Sequence, residues 1–275
     1  MTGVDSILQS VVLLLYVAAA GAFIAFLTTA RSRVRELAPF LLAGGAALHG
    51  FEIATRSLAL GHIAVTRFDE GLSFLAFSLV LLYLLLDRRH VLAVVGAVIA
   101  PLASLLMAVS VLISSGATEL PPALRSAWLP VHVTLAILGN AVFALAFATS
   151  LIYLFEDNRL KAKRPGRRRL LPSLEKLDDL NHRLLTWGFP LLTLGIVTGA
   201  IWAHFVWGQF WSWEARQSWS LVTWMLYAIL LHGRSVGWRG RRAATLTIVS
   251  FAVLLMSIVS VNVFFPGRHG GSFGS

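Results

Sequence analysis

The chain of 275 residues contains eight stretches that are long and apolar enough, or nearly so, to cross a lipid bilayer. A spanning helix needs about 20 mostly apolar residues, because its backbone polar groups must all be satisfied within the helix. The third and seventh stretches are at the short end of this range. The eight stretches are residues 7–30, 37–60, 70–86, 91–113, 129–155, 186–206, 217–233 and 243–265. This pattern predicts an all-α polytopic membrane bundle of about eight transmembrane helices.

The composition excludes several classes of protein. Hydrophobic residues make up 57% of the chain and charged residues 13%, whereas about a quarter of the residues of a soluble domain are charged. A water-soluble enzyme and a disordered tail are therefore excluded. The chain has no cysteine, which excludes disulfides, thiolate metal sites and thiol redox chemistry by this chain. No strong internal repeat is present, so residues 1–275 are predicted to form a single membrane domain.

The basic residues predict the orientation of the chain. Of the 23 lysines and arginines, 18 lie in one set of alternate loops, residues 31–36, 87–90, 156–185 and 233–242. The positive-inside rule assigns these loops to the cytoplasm, so both termini are predicted to be extracytoplasmic. The net charge of +10 is thus explained by topology, and no nucleic-acid partner is predicted. The expected location is the cell (inner or cytoplasmic) membrane, crossed several times.

The longest loop, residues 156–185, carries two further signals. Its basic cluster at 161–169 could bind anionic headgroups of membrane lipids; a charge run that only holds the loop inside is the alternative. The part from Pro172 to Arg183 is predicted to form a short interfacial amphipathic helix, with three leucines on one side.

Six of the nine tryptophans lie between positions 202 and 224. Interfacial belts also use tryptophan, but a belt spreads its rings over all spans and both interfaces. A cluster in one outer loop favours a surface on which a large, flat, apolar ligand can stack. The belt remains the alternative interpretation.

Two histidines are predicted to lie on the same side of the membrane as this loop. His132 is near the outer start of the fifth span and His269 follows the last span. Two imidazoles beside an aromatic surface are what six-coordinate haem iron requires as axial ligands. Taken one at a time, His132 could equally be an interfacial hydrogen-bonded residue and His269 a solvated tail residue.

Two other histidines lie in the apolar phase. His49 shares one helical face with Glu52 and Arg56, and His232 is near the inner end of the seventh span, followed by Arg234. Ionisable groups at membrane depth are costly and are by default functional. His49 and His232 could form a second, deeper pair of iron ligands. The alternatives are a polar contact between His49 and Glu52, and an interfacial His232 near the last carbonyls of its helix.

The order of these residues resembles a known signature. Trp207-Gly208-x-x-Trp211-x-Trp213-Glu214, followed by Trp219, Trp224 and Leu231-His232-x-Arg234, is similar to the tryptophan-rich WWD motif. That motif is typical of the cytochrome c assembly family of the CcsA/ResC type, with its HemX-like and YpjD-like relatives. The resemblance is strongest over residues 129–269, with the WWD loop at 207–219.

The resemblance implies a protein that handles haem b, as cargo or substrate, in c-type cytochrome biogenesis. It implies axial ligation of the iron by His132 and His269, with a membrane histidine at His232; His49 as the partner of His232 is our hypothesis. The implied haem contacts are Trp207, Trp211, Trp213, Trp219 and Arg216, the last pairing with a propionate. The implied partners are haem, apocytochrome c and a CcsB/ResB-type membrane protein.

The sequence departs from the family motif W-D-P-K-E-x-W, which here reads Trp213-Glu214-Ala215-Arg216-Gln217-Ser218-Trp219. The chain also has no evident acid–base group for thioether formation, so delivery and orientation of haem is predicted rather than catalysis by this chain alone. It could be a subunit of a haem-attachment complex. The alternative is a HemX-like or YpjD-like accessory that affects haem synthesis or ion homeostasis without stable haem binding. A small-ion or solute transporter using Glu52, Arg56 and His49 is a third possibility.

Overall fold

The computed structural model describes residues 3–87, 92–114, 126, 128–163 and 171–263, and every regular element in these ranges is an α-helix. The all-α prediction is therefore confirmed. In chain order the helices are α1 (Gly3–Thr29), α2 (Ser32–Leu60), α3 (Phe68–Leu86), α4 (Ala93–Ile113), α5 (Trp128–Lys161), α6 (Leu174–Trp207), α7 (Ala215–Ser235) and α8 (Arg241–Val263). Each contains most of one apolar stretch predicted from the sequence.

Within these ranges seven helices are long and apolar enough to cross a membrane, and the chain is a multi-span membrane protein. The exception is α7, whose polar and basic side chains lower its mean hydropathy below that of a candidate span. It nevertheless packs along α6 at two distant points. Trp224 Nε1 donates to Thr193 Oγ1 at 2.9 Å, and Arg234 Nη1 donates to Asp178 Oδ1 at 2.6 Å. These contacts make α7 antiparallel to α6. The predicted extracytoplasmic termini remain a prediction.

Helices α1–α4 form one compact unit, here unit 1. Its core is built from large aromatic side chains that meet glycines. The rings of Phe23 and Tyr83 pack edge to face with centroids 6.0 Å apart, and both lie against Gly96 of α4, where a Cβ would not fit. Asp87 joins the end of α3 to the start of α4, because it accepts hydrogen bonds from Tyr83 Oη at 2.9 Å and from Leu92 N at 2.8 Å.

Helices α5–α8 form a second compact unit, here unit 2. Both α5 and α6 have 34 residues, about 51 Å at 1.5 Å per residue, so each is longer than the ~30 Å hydrocarbon core of a bilayer. They approach closely through glycines. A Cβ on Gly139 would lie 3.2 Å from Leu192 N, and one on Gly195 would lie 3.3 Å from Ala136 Cα. Small residues permit such contacts in membranes, where helix association depends on van der Waals packing.

The separate interfacial helix predicted for Pro172 to Arg183 is wrong. From Leu174 onward this segment is the beginning of α6, which continues without a break to Trp207. The reason is tertiary. Leu177 and Asn181 are buried, and Asn181 Nδ2 donates to Ser150 Oγ of α5 at 2.8 Å and to Thr247 Oγ1 of α8 at 3.3 Å. The face predicted to meet lipid is therefore occupied by neighbouring helices.

Candidate functional site

His132 is held between α5 and α6 by its own hydrogen bond. Its Nδ1 lies 2.8 Å from the carbonyl oxygen of Gly195. Because a carbonyl can only accept, this contact assigns the ring proton to Nδ1 and leaves the lone pair on Nε2. Histidines that bind metals typically have this second-shell arrangement, in which a backbone carbonyl fixes the tautomer and the ring orientation. The hydrogen bond to Gly195 thus leaves the Nε2 lone pair of His132 unused.

Gly199 provides the space in which the His132 ring lies. A Cβ on Gly199 would be 2.7 Å from His132 Cε1 and 2.8 Å from Nδ1, closer than van der Waals contact allows. Gly195 and Gly199 are four residues apart, a spacing that brings two glycines to one helical face. One glycine thus supplies the carbonyl that orients the imidazole, and the other supplies the cavity that accepts it.

We expect Gly199→Ala to displace the His132 ring while leaving the histidine in the sequence. If His132 ligates haem iron, the variant should bind haem about 10- to 100-fold more weakly, the range found when the support of a metal ligand is disturbed. Absorption titration of the purified protein with haem measures this. Gly44→Ala is the matched control, because nothing lies within 4 Å of its added Cβ. Equal haem affinity in the two variants would contradict the role given to Gly199.

The segment between α6 and α7, residues 208–214, is here called the Trp loop. It begins where Gly208, with a φ of +75°, ends α6 and donates its N–H to His204 O at 2.9 Å. Trp213 also has a positive φ, +56°, which is uncommon for a bulky residue and costs on the order of 1–3 kcal/mol. The surrounding contacts must offset this cost.

Gln217 provides two of those contacts. Its Oε1 accepts hydrogen bonds from Ser212 N at 2.7 Å and from Ser212 Oγ at 3.0 Å, in the manner of a side chain in the first turn of a helix that reaches back beyond the N-cap. Ser218 Oγ adds a bond to Trp213 O at 3.3 Å. The family motif has Glu at position 217. A glutamine retains the acceptor oxygen without the charge, so this departure is compatible with a closed loop.

We expect Gln217→Ala to loosen the Trp loop, because it removes both hydrogen bonds at a cost of about 1–3 kcal/mol. Chymotrypsin cleavage within the loop should become roughly ten times faster, since local opening limits the reaction. Gln217→Glu should cleave like the wild type because it retains the acceptor. Gln209→Ala, an exposed glutamine of the same loop, is the matched control. A rate in Gln217→Ala no faster than in Gln209→Ala would refute this role.

The tryptophans of the signature form edge-to-face pairs at this end of unit 2. Trp207 packs against Trp202 with ring centroids 4.9 Å apart, and Trp211 packs against Trp213 at 5.7 Å with the planes at 83°. Trp213 is 71% exposed. The Nε1 of Trp211 is buried and has no hydrogen-bond partner among the described residues. The loop thus presents one exposed indole and one unused N–H donor.

Two further signature residues lie at the start of α7. Arg216 is partly buried and lies close enough to His132 for the two to interact electrostatically, and Trp219 is partly buried one turn later. His204 stacks on Phe210 of the Trp loop, with centroids 4.1 Å apart and planes at 6°. Histidine, arginine and tryptophan side chains from three helices and a loop therefore lie towards one end of unit 2.

The other predicted ligands have different outcomes. His269 lies outside the described residues, so its pairing with His132 stays a prediction. His49 is in unit 1 and His232 is in unit 2, and their pairing also stays a prediction. His49 is fully buried, with Nδ1 3.1 Å from Tyr16 Oη and Nε2 2.7 Å from Ser73 Oγ. The alternative contact with Glu52 is wrong, because both ring nitrogens face these hydroxyl groups. His232 is exposed on α7.

Arg234 of the L-H-x-R stretch has a structural role that the sequence does not indicate. Its guanidinium is buried and binds Asp178 through two nitrogens, at 2.6 and 3.1 Å. Asp178 also accepts the backbone N–H of Gly240 at 2.9 Å. The pair therefore joins the start of α6, the end of α7 and the turn before α8.

Sequence reasoning found His132 and the tryptophans but missed their supports. Gly195 and Gly199 carry a recognisable signal, the G-x-x-x-G spacing of close helix contacts. Gln217 was noted only as a departure from a motif. In the part of the chain that the structure describes, no three His, Asp or Glu residues cluster as a metal site.

Comparison with known proteins shows the family of this chain. The family model for Cytochrome C assembly protein matches residues 66–269. Cytochrome c biogenesis protein CcsA of Chlamydomonas reinhardtii is 36% identical over 222 residues, which cover 78% of this chain and 62% of that protein. The protein of the same name from Parasynechococcus marenigrum (strain WH8102) is 32% identical over 284 residues, covering 94% and 92% of the two chains.

Among solved structures, the Cytochrome c Heme Lyase CcmF superposes with a TM-score of 0.68 at 16% identity, over 98% of this chain and 49% of that one. This likeness concerns the fold. The chain spans 62% of the Chlamydomonas relative and about half of the lyase chain. The extent of the family match and the identity to relatives over most of their length lead to one conclusion: this chain belongs to the cytochrome c assembly protein family.

Proposed function

We propose that this protein acts in cytochrome c maturation by holding haem at the extracytoplasmic end of unit 2 for transfer to an apocytochrome. The observation that carries the proposal is the orientation of His132. An imidazole whose Nδ1–H is bound to the Gly195 carbonyl offers Nε2 as a neutral ligand of defined direction. His269 would supply the second axial ligand. Haem is the cargo in this proposal, and its type is proposed to be haem b.

The groups around His132 suit the remaining parts of haem. Porphyrin is flat and apolar, and Trp207, Trp211, Trp213 and Trp219 supply aromatic surface. The propionates are anions that need donors. Arg216 is a fixed positive charge with a planar fork of N–H groups, and the buried Nε1 of Trp211 is a donor without a partner among the described residues. These aromatic rings and donors all belong to side chains near one end of unit 2.

The proposed contribution of the chain is binding and orientation. Axial ligation by two histidines would keep the iron from reacting and the porphyrin from aggregating until a partner presents the Cys-x-x-Cys-His of an apocytochrome. The chain contributes no cysteine of its own. A CcsB/ResB-type membrane protein is the proposed partner, and the cell membrane, with the Trp loop outside the cytoplasm, is the proposed location. The name of the CcsA relatives supports this place in biogenesis.

A deletion strain and a spectrum test the proposal together. Deletion of the gene should remove covalent haem from c-type cytochromes on a haem-stained gel, and the wild-type gene should restore it. The protein purified from membranes should show a reduced spectrum with split alpha and beta bands. Normal c-type cytochromes in the deletion strain, with no haem in the purified protein, would reject the proposal and favour the HemX-like alternative.

A further inference from the structure

One face of α2 in unit 1 carries three ionisable residues that the proposed function does not use. His49, Glu52 and Arg56 are three and four residues apart, so they lie on one side of the helix. They precede residue 66, where the family match begins. His49 contacts hydroxyl groups of α1 and α3. Polar groups buried at membrane depth are expensive and mark functional pathways.

Glu52 is the member of this set with the least electrostatic compensation. It is 1% exposed and lies eight residues before the end of α2, about 12 Å along the axis. Its Oε1 accepts a hydrogen bond from Nε2 of Gln9 on α1 at 3.1 Å. Gln9 is also 1% exposed, and its Oε1 has no hydrogen-bond partner among the described residues. A buried carboxyl thus faces an amide whose acceptor is unsatisfied.

The neighbouring charges balance without Glu52. Arg56 Nη2 lies 3.2 Å from Asp69 Oδ2 and 3.2 Å from Glu70 Oε1, and Arg67 Nε lies 3.1 Å from Asp69 Oδ1. Two guanidinium groups therefore face two carboxylates. Among the described residues Glu52 is a third carboxyl that forms no salt bridge, and an ionised carboxylate in a low-dielectric interior costs far more than a neutral acid.

Charged groups that could change this balance lie on three of the four helices of unit 1. On α1, Asp5 lies close enough to interact with Glu52, as do Arg56 on α2 and Glu70 on α3. His49 lies one turn away on α2. The α4 sequence, residues 93–113, has no ionisable side chain. Apart from Arg56, which is already bound to Asp69 and Glu70, the charged groups that act on Glu52 in the described part of the chain are the acids Asp5 and Glu70, whose like charge disfavours a second negative charge nearby.

From this juxtaposition we propose that Glu52 is the site of an exchangeable proton held inside the membrane. In the protonated form, the carboxyl O–H supplies a donor for the unsatisfied Oε1 of Gln9 while Glu52 Oε1 continues to accept from Gln9 Nε2. The acid and the amide then satisfy each other in a cyclic pair. The Glu52 carboxylate takes up one proton in one direction of the exchange and releases the same proton in the other. No other covalent bond changes. His49, hydrogen-bonded to Tyr16 and Ser73, extends the polar face further along α2.

Infrared difference spectroscopy of the full-length protein in lipid nanodiscs tests this proposal. A protonated carboxylic acid has a carbonyl stretching band that is separate from the carboxylate bands and shifts in D2O when its proton exchanges. At neutral pH we expect the wild type to show such a band, and Glu52→Gln to lack it. Glu36→Gln, at an exposed acid near the start of the same helix, is the matched control and should retain the band.

Gln9→Leu gives a second, independent measurement, because removing the hydrogen-bonded amide should shift the frequency of the same band without removing the acid. This arm decides the proposal if Glu52→Gln fails to give a monodisperse protein. The proposal is overturned by a wild type without the band, by a band that survives Glu52→Gln, or by a band whose frequency is unchanged in Gln9→Leu. No arm uses haem, so failure here is distinct from failure of the proposed function.

Discussion

His132→Ala should abolish stable haem binding by the purified protein. The substitution removes an imidazole whose Nδ1–H is bound to a backbone carbonyl and whose Nε2 carries the lone pair that an axial ligand needs. Because disturbing only the support of a metal ligand costs 10- to 100-fold in affinity, loss of the ligand itself should cost more than about 100-fold. The absorption spectrum of the protein as purified from membranes, followed by haem titration, measures the effect.

His204→Ala provides the matched control for this experiment. His204 is exposed at the same end of unit 2 and stacks on Phe210 of the Trp loop, but within the described ranges no backbone hydrogen bond fixes its ring in the way Gly195 fixes His132. We expect its spectrum to resemble that of the wild type. If His132→Ala retains the haem spectrum while His204→Ala loses it, the assignment of the axial ligand is wrong.

Asp178→Ala should strongly destabilise unit 2. The change leaves the guanidinium of Arg234, which is 4% exposed in its side chain, without its two charge-assisted hydrogen bonds and leaves the Gly240 N–H without its acceptor. Removing one partner of a buried ion pair costs about 3–5 kcal/mol. We expect about 3 kcal/mol, the lower end, because the Asp178 side chain is 18% exposed.

The next residue is the control. Asp179 pairs with Arg183 at 3.5 Å, and both side chains are 67% exposed. Exposed ion pairs contribute about 0–1 kcal/mol to stability. Asp179→Ala should therefore have the same unfolding midpoint as the wild type in a thermal melt or a denaturing-detergent titration. The two variants share the helix, the residue type and the change in charge, and differ in the burial and the partners of the carboxylate. Equal destabilisation by Asp178→Ala and Asp179→Ala would show that the Arg234 pair does not hold the helices together.

The sequence indicated which residues are candidates for the site but not the hydrogen bonds that hold them. Tryptophan clustering and the position of His132 were visible, because residue type and distance along the chain are enough to place them near one predicted interface. The hydrogen bond from His132 to Gly195 was not visible, since the two residues are 63 positions apart. The same holds for Asp178 and Arg234, which are 56 positions apart. Hydropathy says which segments enter the bilayer, but not which helix faces which.

The segment that precedes the sixth span shows most clearly what a hydropathy pattern cannot decide. Its leucines follow the pattern of a helix lying on a membrane surface, and the same pattern suits a helix that packs against protein. Only the contacts of Asn181 with α5 and α8 decide between them. Likewise the sequence showed Gln217 only as a departure from the motif, whereas in the structure its side-chain carbonyl oxygen closes the Trp loop.

The amino-acid sequence by itself determined that this protein is a bundle of membrane helices and where most of those helices lie, because the free energy of placing apolar side chains in lipid depends on each segment alone. The tertiary structure decided which polar groups compensate one another. A buried imidazole, carboxyl or guanidinium is tolerable only with a partner at hydrogen-bonding distance, and that partner comes from a different helix: Gly195 for His132, Gln9 for Glu52 and Asp178 for Arg234.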